Sequence, residues 1–185
     1  MQRIRMVCAL AGWVGMVATS AAMGQMQMGS APVGPTGPAA EVQRSYAGLK
    51  ANILKAADKM PAEDYQFKAT PDVRAYARVV NHITEAQFHS CGAINHTAAS
   101  DMGKVPADTA DKAAVVDALK ASFDACDKAF ASLTDANLTD MFDLGKAKRS
   151  RVGLVWGTVS HDNEQYATLA LYLRLKGLVP PSSEK

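Results

Sequence analysis

The sequence predicts an all-α protein, a four-helix bundle behind a cleaved N-terminal signal peptide. Three observations carry that reading. Four segments repeat apolar residues every three or four positions, no stretch of useful length alternates with period two, and the connections are rich in Gly, Pro and small polar residues. A helix with one apolar stripe must bury it, and four stripes turned inward make one core.

The chain opens with two positive charges, Arg3 and Arg5, then an apolar run from Met6 to Ala18 and small residues to Gly24. This is the pattern of a secretory signal peptide over residues 1–24, cut after Ala22 or Gly24. The run is too short to span a bilayer comfortably, and no Cys follows the cut. A periplasmic or secreted protein with no stable membrane anchor after signal removal is expected. Residues 25–40 (QMQMGSAPVGPTGPAA) show no apolar period and read as a flexible leader. Residues 41–185 then form one domain with a single core. Without Arg3 and Arg5, eighteen basic residues balance eighteen acidic ones, so nothing in the charge calls for a nucleic-acid partner.

Helix one is expected from Glu41 to Lys59, on Val42, Tyr46, Leu49, Ile53, Ala56 and Met60. Helix two is expected from Pro71 to Asn95, with Thr70 as its N-cap and Pro71 at the first position. Its stripe is Tyr76, Val80, Ile83, Gln87, Cys91 and Ile94. The connection from Thr97 to Thr109 is long enough to cross one end of a bundle, so helices two and three need not be antiparallel neighbours. Helix three, Asp111 to Leu133, has the cleanest repeat: Val116, Leu119, Phe123, Cys126, Phe130 and Leu133. Cys91 and Cys126 both lie on core-facing stripes, which permits a disulfide in an exported protein; two buried free thiols remain the alternative. From Thr134 to Arg151 the chain turns from acidic to basic. Leu138, Met141, Phe142 and Leu144 are expected to tuck against the bundle. Lys146, Lys148, Arg149 and Arg151 read as a solvated loop, with contact to an anionic ligand as the alternative. Helix four runs from Val152 to Gly177 on a stripe of Val152, Val155, Val159, Tyr166, Leu169 and Leu173, and Pro180 and Pro181 stop it.

Helix four also carries the candidate site. His161, Asp162 and Gln165 interrupt its apolar stripe within about one turn, and polar groups on a packing face cost free energy unless they find partners. His82 is placed to meet them if helix two faces helix four. His82, His89 and His96 share a flank but are two turns apart, so they cannot chelate one ion together. His89 and His96 read as exposed or capping. Glu85 and Glu164 each follow a histidine by three, the reverse of the order used in carboxylate-bridged dimetal bundles. No phosphate-binding glycine loop, GxSxG elbow or CxxC pair is present.

HDNEQYATLALYLRLKGLVPP from His161, YARVVNHITEAQ from Tyr76 and FDACD from Phe123 together resemble the DinB-like superfamily. That resemblance implies an up-down-down-up bundle and a divalent metal, zinc or nickel, held by three histidines, one on helix two and two spaced HxxxH on helix four. Here His82 and His161 match the first two positions, and Gln165 stands where the third histidine would be. An amide oxygen is a much poorer ligand for these ions. Some members resemble thiol-dependent transferases, and others isomerases. The resemblance thus implies a metal-dependent transferase or hydrolase acting on a small molecule, with Glu164 or Asp162 as acid/base or supporting group. The alternative from another class is a non-catalytic binding module that has lost its metal, either one as a homodimer.

Overall fold

The computed structural model describes residues 36–185, so the expected signal peptide and the expected leader up to residue 35 lie outside the described residues. Four helices make the body: α1 Pro38–Lys59, α2 Tyr76–Ile94, α3 Lys112–Ala131 and α4 Arg151–Leu175. An antiparallel ribbon, β1 Met141–Asp143 with β2 Lys148–Ser150, precedes α4.

α1 begins before Glu41, which corrects the leader boundary. Pro38 takes the first turn, where its missing N–H costs nothing, and the Asp135 carboxylate accepts from the Ala39 N–H at 2.8 Å. Gly37, with φ of 113°, lies so close to Asp135 that a side chain would collide with it.

α2 begins at Tyr76 rather than Pro71. Thr70 and Pro71 form a turn closed by the Val73 N–H on the Thr70 carbonyl, not a helix start. The connecting chain folds back instead. The carbonyls of Phe67 and Tyr65 accept from the N–H groups of Tyr76 and Ala77 at 3.0 and 2.8 Å, the service a side-chain cap would give.

Side chains cap the other two helices. Asp111 accepts from the Ala114 N–H at 2.8 Å, and Ser150 from the Gly153 N–H at 3.2 Å. α4 ends in a Schellman turn, with Gly177 at φ of 75° and the Leu178 N–H on the Leu173 carbonyl at 2.9 Å. The tail then folds back. The Ser182 N–H donates to the Tyr166 hydroxyl, Arg174 donates to Ser183, and Lys59 pairs with Glu184.

The ribbon corrects two expectations, the absence of strand and the reading of the basic run as loop. Each strand has three residues, too few to leave a period-two signature. Gly145, at φ of 79°, turns the chain, and the Asp143 carboxylate accepts from its N–H at 2.8 Å. Phe142 is buried under the Arg151 guanidinium, 4.9 Å from the ring centre, whereas Met141 is 62% exposed and does not pack.

Every stripe residue expected on α2 and in the third-helix segment is buried; on α4, Val152 is the exception and faces solvent. α1 and α2 lie diagonally, each packed on α3 and α4. Gln43 and Tyr46 reach Phe130 and Asp127, while Lys112 reaches Asp58, so α1 and α3 are antiparallel. His82 opposite His161 and Tyr76 near Tyr172 make α2 and α4 antiparallel as well. α2 and α3 run together, tied by a Cys91–Cys126 disulfide with Cα atoms 5.0 Å apart.

Candidate functional site

The seam between α2 and α4 is polar. The antiparallel register brings three side-chain pairs into contact along it: His82 with His161, Gln87 with Asp162, and Ser90 with Thr158. Each pair interrupts an otherwise apolar interface.

His82 and His161 face each other through Nε2 at 3.2 Å, their rings nearly perpendicular. Each ring turns its other edge to a carboxylate. Glu85 Oε2 lies 3.6 Å from His82 Nδ1, and Asp162 Oδ1 lies 3.5 Å from His161 Nδ1. Those separations are at or beyond the limit of a good hydrogen bond, so the carboxylates orient the rings rather than bind them tightly. Arg78 grips Glu85 through both guanidinium nitrogens, at 2.7 and 2.9 Å.

Asp162 is 1% exposed. Burial pushes its carboxyl above the ordinary carboxylate range, against the opposing pull of His161 and of the hydrogen bond from Gln87. Gln87 Nε2 donates to Asp162 Oδ2 at 2.7 Å, and Gln87 Oε1 accepts from Ser122 Oγ on α3 at 2.7 Å. His82 is held below the usual imidazole value, first by burial and then by the positive charges of Arg74 and His161. The ring is thereby kept neutral, the form in which an imidazole offers a lone pair to a metal.

The histidine pair fits two ligands of one ion. Nitrogens bonded at roughly 2.0–2.1 Å in a tetrahedral set lie about 3.3 Å apart, close to the spacing seen here. The same spacing suits an N–H···N hydrogen bond in which one ring donates. Gln165 lies one turn beyond His161 on α4 and is buried. Among the described residues, no group of three or more His, Cys, Asp or Glu is arranged to hold a metal ion. The donors the structure brings face to face are therefore two imidazoles.

The candidates thus separate. The structure brings His82, His161 and Asp162 together, whereas Glu164 is exposed on the outer face of α4. His89 and His96 are exposed, and His96 follows the C-cap of α2 with φ of 55°. Gln87 was legible only as a core position; an amide in an apolar stripe is the signal that marks it. Ser90, Thr158 and Ser122 left no signal at all.

Beside His161 a cavity of about 210 Å³ opens between α2, α4 and the ribbon, reached past Arg149. Gly153 and Gly157 lie in its wall, and a Cβ added at Gly157 would meet nothing within 4 Å.

This arrangement can be compared with known proteins. A profile of the DinB superfamily matches residues 45–169. The crystal structure of a DinB-like protein from Bacillus cereus is similar, with a TM-score of 0.63 at 18% identity, over 76% of this chain and 93% of that one. A DinB-like protein from Bacillus subtilis, YjoA, aligns with a TM-score of 0.59 at 17% identity, over 74% and 92%. At those identities the likeness is one of fold. No curated protein matches the chain significantly. With that profile spanning α2 and α3 entirely and most of α1 and α4, this chain belongs to the DinB superfamily.

Proposed function

We propose that the α2–α4 seam is a divalent-metal site of reduced ligand number in an exported DinB-superfamily protein. His82 and His161 serve as imidazole ligands, the Gln165 amide oxygen as a weaker third, and solvent as the rest. One observation supports this above others: two imidazoles present Nε2 to each other at ligand spacing, each backed by a carboxylate. When bound, zinc or nickel would supply Lewis acidity for a transfer or hydrolysis on a small molecule. The chain's own part is to orient the rings through Glu85 and Asp162, to hold Asp162 in place through Gln87 and Ser122, and to keep bulk water from the buried side. The Cys91–Cys126 bridge accords with export to an oxidising compartment.

The test is a zinc titration of protein purified without a histidine tag. One equivalent should bind and be lost in His82→Ala and His161→Ala. Gln165→His should tighten it by roughly tenfold or more, as imidazole replaces an amide. No binding of zinc or nickel by the wild type would leave the second reading, a non-catalytic binding module whose histidines are hydrogen-bonded to each other. That reading draws on the missing third ionisable ligand.

A further inference from the structure

We propose that the cavity beside His161 binds a small carboxylic acid that also carries a hydrogen-bond donor, an amino or hydroxy acid, with Arg149 holding the carboxylate. This rests on the α2–α4 cleft being the functional site, but not on a metal being bound there.

The cavity has two chemically different ends. At its mouth stands Arg149, on β2, whose guanidinium makes no ion pair among the described residues. Its neighbour Arg151 is by contrast engaged, with Asp140 and with the Phe142 ring. A guanidinium presents a planar fork that matches a carboxylate.

Deeper in, the wall offers acceptors. Ser90 Oγ and Thr158 Oγ1 lie 2.8 Å apart, and each is also within reach of a carbonyl of its own helix, Ala86 at 2.9 Å and Leu154 at 3.0 Å. Each hydroxyl has one proton. However the two protons are shared among these partners, both are used inside the wall, and only lone pairs remain for a ligand. Asp162 lies in the same wall and adds negative charge. A ligand reaching these hydroxyls must donate, and the His89 and His161 rings complete the polar lining. The sides between the two ends are apolar, from Ala86, Leu144 and Leu154.

Size and charge narrow the class. A cavity of about 210 Å³ exceeds the ~150 Å³ that holds a benzene ring, which admits about six to ten non-hydrogen atoms. A dianion such as phosphate would meet one permanent positive charge, Arg149, with Asp162 behind it and the His89 and His161 rings at the sides. A monocarboxylate matches that one charge, and its amine or hydroxyl answers the acceptors.

The experiment is calorimetric titration of the full mature chain, with and without zinc. The probes are L-serine and L-lactate, with acetate and ethanolamine as half-ligands. Two variants are measured beside the wild type. Arg149→Gln removes the fork from an exposed position. Gly157→Leu fills the cavity, and it should fold because the added side chain enters open space on a helix that gains propensity. Serine or lactate should bind roughly tenfold or more tightly than either half-ligand; Arg149→Gln should weaken that by roughly tenfold or more, and Gly157→Leu should abolish it. Zinc affinity should be unchanged in Arg149→Gln, which lies on the ribbon away from His82. Absence of binding to the wild type in both zinc states would overturn the proposal. So would equal binding by wild type and variants, or binding lost in Gly157→Leu but untouched in Arg149→Gln. The zinc titration judges the metal reading separately, so either can fail without the other.

Discussion

α2 has two working faces, and they are built on opposite principles. Toward α3 it is joined by a covalent bond and apolar packing: Cys91 to Cys126, with Ile83, Val80 and Ile94 fully or almost fully buried. Toward α4 it is joined by three polar pairs, in which an amide, a carboxylate and two hydroxyls take positions that aliphatic side chains would fill at less cost. Replacing buried polar pairs with well-packed apolar ones is often neutral or stabilising. The α3 face thus supplies stability and the α4 face spends it, which is the distribution expected of a fold that keeps a site. Gln87 belongs to both faces, with its amide nitrogen on Asp162 and its oxygen on Ser122.

The contrast can be broken most forcefully on the α3 face. Cys91→Ala with Cys126→Ala opens a cross-link spanning 35 residues, which in the chain-entropy model costs about 4 kcal/mol. Urea denaturation of wild type against the double variant measures it. A loss below about 1 kcal/mol would mean that packing alone holds this face.

The next effect comes from the shared residue. Gln87→Ala strips the Asp162 carboxylate of its amide donor, leaves Ser122 only the Leu119 carbonyl at 2.8 Å, and should cost about 2–3 kcal/mol. Asp162→Asn in the Gln87→Ala background should recover part of that loss, because the uncompensated buried charge is gone. No recovery would show that the cost is a packing cavity instead.

On the α4 face itself, the effect is on binding more than on folding. Zinc at a hundredfold excess over its dissociation constant should stabilise the wild type by about 2.7 kcal/mol and His161→Ala not at all. Thermal melts with and without zinc, followed by chelator, read both.

A third seam serves as an outside control and carries the smallest effect. Asp127 on α3 accepts from the Tyr46 hydroxyl at 2.7 Å and pairs with Lys50. Burial raises its carboxyl, but Lys50 and Tyr46 outweigh that and hold it below the ordinary Asp value. A depressed carboxylate contributes stability that is present above its unfolded value, near pH 4, and is lost as the pH falls through its folded value. Asp127→Asn should therefore flatten the acid limb of the stability profile below pH 4. At neutral pH it should cost under about 1 kcal/mol, because the carboxylate is nearly half exposed and screened.

How much of this was legible in the sequence follows from what each feature depends on. The stripes of α2 and α3 are readable because burial along a helix imposes its own spacing, and each residue placed on them is buried. The start of α2 is not, because Thr70-Pro71 is a sound local signal that the tertiary capping by Phe67 and Tyr65 overrides. Strands of three residues fall below what alternation can reveal. For the site, the polar break at His161 and Asp162 is visible on one helix alone. The meeting of His161 with His82, 79 positions away, depends on the register of two helices, which the flank position of His82 permits and the family resemblance implies. Ser90, Thr158 and Arg149 matter through a cavity wall assembled from three elements, which no single segment encodes.

The folded-back tail has a practical consequence. Pro180 and Pro181 are buried, Ser182 holds the Tyr166 hydroxyl, and Glu184 reaches Lys59 at the far end of α1. Trimming the last six residues to tidy an expression clone would uncover apolar surface and leave that phenol without its donor, one position along from Gln165. Fusions are better joined beyond Lys185 than spliced in after Leu178.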